Sequence, residues 1–277
     1  MIRSIENLTG RPRLIRMALG YESEVSAGRN FWEVMTERYG VTIDLGAEDG
    51  LRRIPEEGPL IVVANHPFGI LDGMAMGRLL SARRPHFRIV AHKVFHRARD
   101  LEEMILPVSF EETREAQAVN LETRRAALDY LAAGGAIGIF PGGTVSTAKR
   151  PFGYPMDPVW RNFTARLVAR SEAAVVPVFF HGANSRLFQI ASHLHSTLRV
   201  ALLIKEFGAR VGGAIEASIG APLPAAELTA RATDARALMD YLRDATYALS
   251  PSPPPSLDYG FEFEPGYANR SRGRDAA

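Results

Sequence analysis

The sequence predicts an α/β fold, a central mixed but largely parallel sheet flanked by helices, and three observations carry that prediction. Leu60-Ile61-Val62-Val63-Ala64 is a short, continuous, β-branched apolar run, the pattern of a strand covered on both faces. Ala136–Phe140 and Ala174–Phe180 repeat the pattern further on. Between these runs lie stretches with the apolar spacing of helices, chiefly Leu71–Leu80 and Glu115–Ala133, and strands alternating with helices build parallel sheets. Over 277 residues, 46% hydrophobic and 23% charged positions are the proportions of a globular protein with a sizeable core. No linker interrupts residues 41–250, so one main domain is expected there. A helical extension over 1–40 precedes it, and a Pro-rich, extended or disordered tail over 251–277 follows.

In chain order, Arg11–Leu19 is a short basic amphipathic piece with Leu14, Ile15, Met17 and Leu19 as apolar contacts. It suits a membrane surface or the flank of the domain. Phe31–Tyr39 continues as helix until Gly40, and Val41–Leu45 reads as the first strand. Phe87–Ala91 reads as a strand, Lys93–Met104 as a helix and Ile105–Val108 as a short strand or extended turn. Phe152–Asp157 is a Pro/Gly-rich loop and Pro158–Ser171 a helix. Ser185–Leu203 is long and apolar with sparse charge; Ala214–Gly220 is a late strand. Asp234–Leu249 is a helix with Thr233 or Asp234 as its cap. Beyond Ser250 the chain offers little apolar surface to bury.

Composition narrows the function classes. The absence of cysteine excludes disulfides, thiolate metal sites and a cysteine nucleophile, and fits a cytoplasmic address. The first residues carry charges throughout, so no secretory leader is expected. Nothing approaches the roughly 18 apolar residues of a spanning helix, so any membrane association is expected to be peripheral. Net charge is only +2, yet no acid lies between Asp72 and Asp100 while Arg78, Arg83, Arg84, Arg88, Lys93, Arg97 and Arg99 accumulate. Such a block faces anionic headgroups or a nucleotide-bearing donor, or else forms a solvated face balanced by the acids that follow. It lacks the fold signature and aromatic interleaving of a nucleic-acid binder.

Two stretches carry chemistry. Asn65-His66-Pro67 ends the first strand, because Pro67 cannot donate to a ladder and pushes His66 out of helical conformation. His66 therefore sits in the loop at a strand's carboxyl end, where open α/β sheets bind ligands, with Asp72 on the first turn of the next helix. Imidazole with a carboxylate holding one ring N–H has the parts of a general base and its orienter. The same residues also suit an ordinary turn that closes a helix N-terminus. The second stretch, Phe140-Pro141-Gly142-Gly143-Thr144-Val145-Ser146, is a Gly-rich turn whose N–H groups and hydroxyls suit an anion, or simply a turn to the surface.

Together Asn65-His66-Pro67-Phe68-Gly69 with Asp72-Gly73, Phe140-Pro141-Gly142-Gly143 with Val145-Ser146, and Val175-Val176-Pro177-Val178 resemble blocks of the glycerolipid (lysophospholipid) acyltransferase superfamily. They are most similar to its bacterial hemolysin-like branch, which includes lyso-ornithine-lipid acyltransferase-like proteins, and the His181–Ser185 loop resembles that branch's G-x-N-S segment. The resemblance spans roughly residues 41–225. Two departures stand out: five residues separate His66 from Asp72 where the family has four, and Gly142 replaces a common acid.

The resemblance implies a glycerol-3-phosphate acyltransferase-like sheet. The implied reaction moves a fatty acyl group from acyl-CoA or acyl carrier protein to the hydroxyl of a lyso-lipid. His66 would be the base and Asp72 its orienter. Asn65 and backbone N–H groups near Gly69 would stabilise the oxyanion. Phe140, Pro141, Gly142, Gly143, Thr144 and Ser146 would hold the acceptor's anionic headgroup or order the site, and Arg114 is the candidate for the arginine on the acceptor phosphate. No metal or cofactor beyond the acyl donor is implied. The expected setting is cytoplasmic and peripheral, on the inner, anionic face of a membrane, with no nucleic acid. Rival readings are N-acylation of an aminolipid precursor, metal-dependent hydrolysis through His66, Asp72 and His92 or His181, and a non-catalytic membrane-surface protein.

Overall fold

The computed structural model describes residues 6–7, 9–46, 50–93, 99–109 and 113–263. Three short helices, α1 (Arg11–Ala18), α2 (Tyr21–Ser26) and α3 (Phe31–Arg38), lead into β1 (Thr42–Asp44) and β2 (Leu60–Ala64). Then come α4 (Ile70–Ser81), β3 (Phe87–His92), β4 (Ile105–Val108), α5 (Arg114–Ala132) and β5 (Ala136–Ile139). A small hairpin of β6 (Thr147–Ala148) and β7 (Pro155–Met156) precedes α6 (Asn162–Val168) and β8 (Ala174–Phe180). The chain continues through α7 (Arg186–Leu194), α8 (Ser196–Gly208), β9 (Ala214–Ile219), α9 (Ala225–Arg231) and α10 (Ala235–Tyr247). Among the described residues no helix is long and apolar enough to cross a membrane.

Seven strands form one sheet in the order β1-β9-β8-β2-β5-β3-β4, parallel at every junction except β8 with β9. The sheet is therefore mixed but mostly parallel, with a core on each face. Leu60, Val62 and Ala64 of β2 join Leu71, Met76 and Leu80 of α4, Trp32 of α3 and Phe207 of α8. Ile61 and Val63 point the other way, to Leu131 of α5, Leu167 of α6 and Leu238 and Leu242 of α10. This two-sided burial is why β2 reads as an unbroken apolar run rather than an alternating one.

Some expected elements change. The helix expected over 158–171 shrinks to α6, because the N–H of Arg161 donates to Pro141 O at 2.8 Å and holds the chain before it extended. Ser185–Leu203 is two helices, broken where His195 takes φ −163° and its Nδ1 caps α8 through the N–H of Thr197. Of the helix expected over 93–104, only a 3-10 turn at Arg99–Leu101 appears in the described part, and 94–98 lie outside it. Asp234 is the cap of α10.

The basic block is partly turned inward. Buried Arg84 donates to Pro55 O, Gly58 O and Gly134 O, pinning the loops that feed β2 and β5. Arg88 lies over the Tyr130 ring. Arg97 lies outside the described residues.

Of the tail expected to be extended or disordered, residues 251–263 carry no helix or strand and are docked from Leu257 on, and 264–277 lie outside the described residues. Arg243, itself buried, donates to Leu257 O and Asp258 O, and Tyr259 is only 3% exposed. The N–H of Gly260 donates to Asp157 O and that of Phe261 to Thr147 O, while Arg161 and Glu262 form a buried two-point ion pair. The expectation of little surface to bury missed this, because partners some 100 residues upstream supply the contacts.

Candidate active site

The two motif loops meet because β2 and β5 are parallel neighbours, with Leu60 opposite Ala136 and Val63 opposite Ile139. Both strands end at the same edge about 4.8 Å apart, so the Asn65-His66 and Phe140-Pro141 loops adjoin. The imidazole of His66 stacks on the Phe140 ring with 4.4 Å between centroids.

The five-residue spacing still brings His66 and Asp72 together. Gly69 takes φ 88°, a left-handed value that favours glycine, and Ile70 begins α4, so Asp72 falls on its third residue. There Asp72 Oδ2 accepts the N–H groups of Phe68 and Gly69, each at 2.8 Å, which caps the helix. The same oxygen lies 2.9 Å from His66 Nδ1. That approach is close but off the ring N–H axis, as acid–base contacts in ligand-free sites often are. The carboxylate is fully buried while the His66 side chain is 18% exposed, so the imidazole bridges the buried acid and the surface. Burial pushes the Asp72 carboxyl up from its ordinary range, and the His66 contact and the two N–H bonds pull it part of the way back.

Several predicted site residues have other duties. Asn65 is 3% exposed, and its amide is consumed by the backbone of Phe180, donating to the carbonyl and accepting the N–H. It extends the β2–β8 ladder one step past Ala64 and Val178, and that duty engages its carbonyl oxygen and one of its two amide hydrogens. The N–H of Gly69 is likewise engaged, by Asp72. The Ser146 hydroxyl is buried and donates to Asp157, and its N–H donates to His66 O at 2.8 Å; it builds the loop rather than meeting substrate. Arg114 is exposed at the start of α5, beside the edge strand β4 and three strands from β2, and does not join the cluster. In the second loop, Gly143 takes φ 69° and its N–H closes the turn on Phe140 O. A Cβ on Gly142 would sit 3.4 Å from the Asp157 carboxyl carbon, so a buried acid already fills the space its side chain would need. His181 bonds Ser218 on β9 at 2.8 Å. Among the described residues no three metal-ligating side chains come together.

Two residues with large roles escaped the sequence reading. Asp157, fully buried, accepts the N–H of His66, the Ser146 hydroxyl and Trp160 Nε1–H, while its own N–H donates to the Tyr247 hydroxyl. Arg199 backs the second loop: its guanidinium donates to Thr144 Oγ1, Thr147 Oγ1, Ser192 Oγ and Val145 O, with no carboxylate in contact among the described residues. Burial pushes it down to about 9, still charged at neutral pH. A signal existed for Arg199, the only lysine, arginine or acid between Leu187 and Ile204. Asp157 had none, since it closes a Pro/Gly-rich loop. A cleft lined by Lys149, Arg150, Tyr154, Pro255 and Tyr259 lies elsewhere and includes neither His66 nor Asp72.

A lyso-glycine lipid O-acyltransferase of Phocaeicola vulgatus is 24% identical over 180 residues, 65% of this chain and 61% of that protein. The chain thus spans about three fifths of that relative's length. The crystal structure of PlsC, the 1-acyl-sn-glycerophosphate acyltransferase of Thermotoga maritima, superposes with a TM-score of 0.49 at 14% identity, covering 89% of this chain and 95% of that one. The family described as Acyltransferase matches residues 17–258, and with most of its length inside that match the chain belongs to the acyltransferase family.

Proposed function

We propose that this protein transfers a fatty acyl group from a thioester, acyl-CoA or acyl carrier protein, to the hydroxyl of a lyso-lipid, with His66 as general base and Asp72 as its orienter. The observation that carries this reading is the 2.9 Å contact between His66 Nδ1 and fully buried Asp72 Oδ2. Asp72 favours the tautomer with the proton on Nδ1, which leaves the Nε2 lone pair for the acceptor hydroxyl. As Nε2 takes that proton, the oxygen attacks the thioester carbonyl. The tetrahedral intermediate collapses with loss of thiolate, and the imidazolium returns the proton to sulfur. One C–O bond forms, one C–S bond breaks, and no acyl-enzyme is needed. The buried carboxylate stabilises the imidazolium while it exists.

The second loop suits an anionic headgroup or donor phosphate. Arg199 supplies positive charge behind Thr144, and the N–H groups of Gly142 and Thr144 donate to no described protein acceptor. The curated relative acts on a hydroxyl by its name, which favours O-acylation. Peripheral binding to the anionic inner face of a membrane is part of the proposal. On α1, Ile15 is 46% exposed beside Arg11, Arg13 and Arg16, and Leu19 just after it is 65% exposed. Vesicles carrying anionic lipid should bind the protein in a salt-sensitive way, neutral vesicles less so.

The test is a panel of lyso-lipid hydroxyl and amine acceptors with acyl-CoA and acyl carrier protein donors, read by mass spectrometry. Ester product from wild type and none from folded His66→Ala is expected. A fully active His66→Ala would remove the assigned base; amide product alone would move the acceptor to an amine; vesicle binding without any transfer would leave a non-catalytic membrane protein.

A further inference from the structure

The backbone of His66 is gripped on both sides by a closed ring. Its N–H donates to Asp157 Oδ1 at 3.2 Å, and its C=O accepts the N–H of Ser146 at 2.8 Å. Ser146 completes the circuit by donating its hydroxyl to the same Asp157 oxygen. Asp157 comes from neither motif loop. It follows β7, 91 residues after His66, and its other oxygen is fixed by Trp160 Nε1–H at 2.9 Å. Among the described residues no lysine, arginine or histidine side chain bonds the carboxylate; Arg243 donates only to the Asp157 carbonyl.

A buried carboxylate without a cation is a costly group to keep, and neutral acceptors would satisfy the same N–H and O–H donors. Its geometry explains what it does. One oxygen must accept from two donors on two separate loops at once, which a charged carboxylate oxygen does more strongly than a neutral one. The result fixes the peptide on both sides of His66, leaving its side-chain torsions, the Phe140 stack and the Asp72 contact to set the ring.

We propose that Asp157 is a positioning residue for the reaction, holding His66 at its working geometry through a ring shared with Ser146. This rests on His66 being the base. A displacement of about 1 Å at a reacting group lowers rate on the order of 100-fold. Asp157→Asn and Ser146→Ala should therefore lower kcat by roughly 10- to 100-fold, with the KM values for acceptor and donor within about twofold of wild type. Because both act through one ring, the double variant should lose little more than the worse single one.

The experiment measures Tm, kcat and KM for the two single variants and the double variant. It also measures the His66 amide proton shift and exchange rate by NMR in the full chain. Expected are folded variants, the kcat-specific and non-additive loss, and an upfield, faster-exchanging His66 amide in both single variants. If Asp157→Asn does not fold, Ser146→Ala, which removes one hydroxyl, decides alone. Unchanged kcat in a folded variant, a loss in KM only, or multiplicative losses in the double variant would each overturn the proposal. The amide readout needs no turnover. An active His66→Ala with a perturbed amide would sink the assignment of the base and leave the ring standing, whereas an unperturbed amide would sink the ring.

Discussion

Asp72 does two jobs with one oxygen. Oδ2 accepts the N–H groups of Phe68 and Gly69 as a helix cap and faces His66 Nδ1 as its orienter. Asn with its amide oxygen at that place can keep all three contacts; what it lacks is the negative charge that stabilises the imidazolium. Asp72→Asn should therefore fold and lose kcat on the order of 100-fold, within the range that general-base catalysis contributes. Its stability should depend on pH in a defined sense. Burial raises the folded carboxyl, so between the ordinary carboxylate range and that raised value the native state holds more protons than the unfolded chain. The stability contributed by this group is fully present at acid pH and is lost as pH climbs through the raised value. The Tm of Asp72→Asn relative to wild type should accordingly rise as pH climbs out of the ordinary carboxylate range, from about pH 4 upward. A relative Tm that falls over this range would mean that pairing, and not burial, dominates at Asp72.

The helices and strands show which parts of the architecture a chain can announce. β2 and β8 were legible to the residue because continuous β-branched runs need cover on both faces. His66 and Asp72 were legible because Pro67 and Gly69 dictate a break followed by a helix start. What stayed hidden depends on contacts remote in sequence. Asn65 looks like a site residue until the carbonyl and N–H of Phe180, 115 residues away, are seen to claim it. Arg84 looks like surface charge until three carbonyls surround it. The docking of the N-terminal helices belongs to the same class. Gly77 of α4 looks like a weak helix former, yet a Cβ there would lie 2.1 Å from Trp32 Cδ2, so the bare backbone is what lets α3 pack on α4. Gly77→Ala should lower stability by about 3 kcal/mol, the upper end of overpacking costs, despite the better helix propensity of alanine. Chemical denaturation would show it. A neutral or stabilising result would mean that Trp32 swings aside freely.

At the scale of the whole molecule, the candidate site is closed by the far end of the chain. The segment from Leu257 to Phe263 crosses the Asp157 and Thr147 backbones, and its ion pair to Arg161 is only 8% and 3% exposed. Phe263 covers the guanidinium of Arg199 at 4.0 Å, so the strap also seals the cation behind the second loop. Gly260 is the point where this strap presses closest: a Cβ there would stand 1.8 Å from Met156 O and 2.6 Å from Thr147 O, both backbone atoms that cannot step aside. Gly260→Ala must therefore lift the strap, and the bonds to Asp157 O and Thr147 O go with it. Loss of these bonds, together with strain on the Arg161–Glu262 pair, whose one-sided rupture costs about 3–5 kcal/mol in buried pairs, should lower Tm and open the segment to proteolysis. Because Asp157 sits under the strap, kcat should fall in the same variant. Gly208→Ala is the matched comparison: nothing lies within 4 Å of its Cβ, so it should leave Tm and protease resistance near wild type. If Gly260→Ala kept the Tm and the rate of wild type, the strap would be an ornament on a site complete without it, and the active architecture would end with α10.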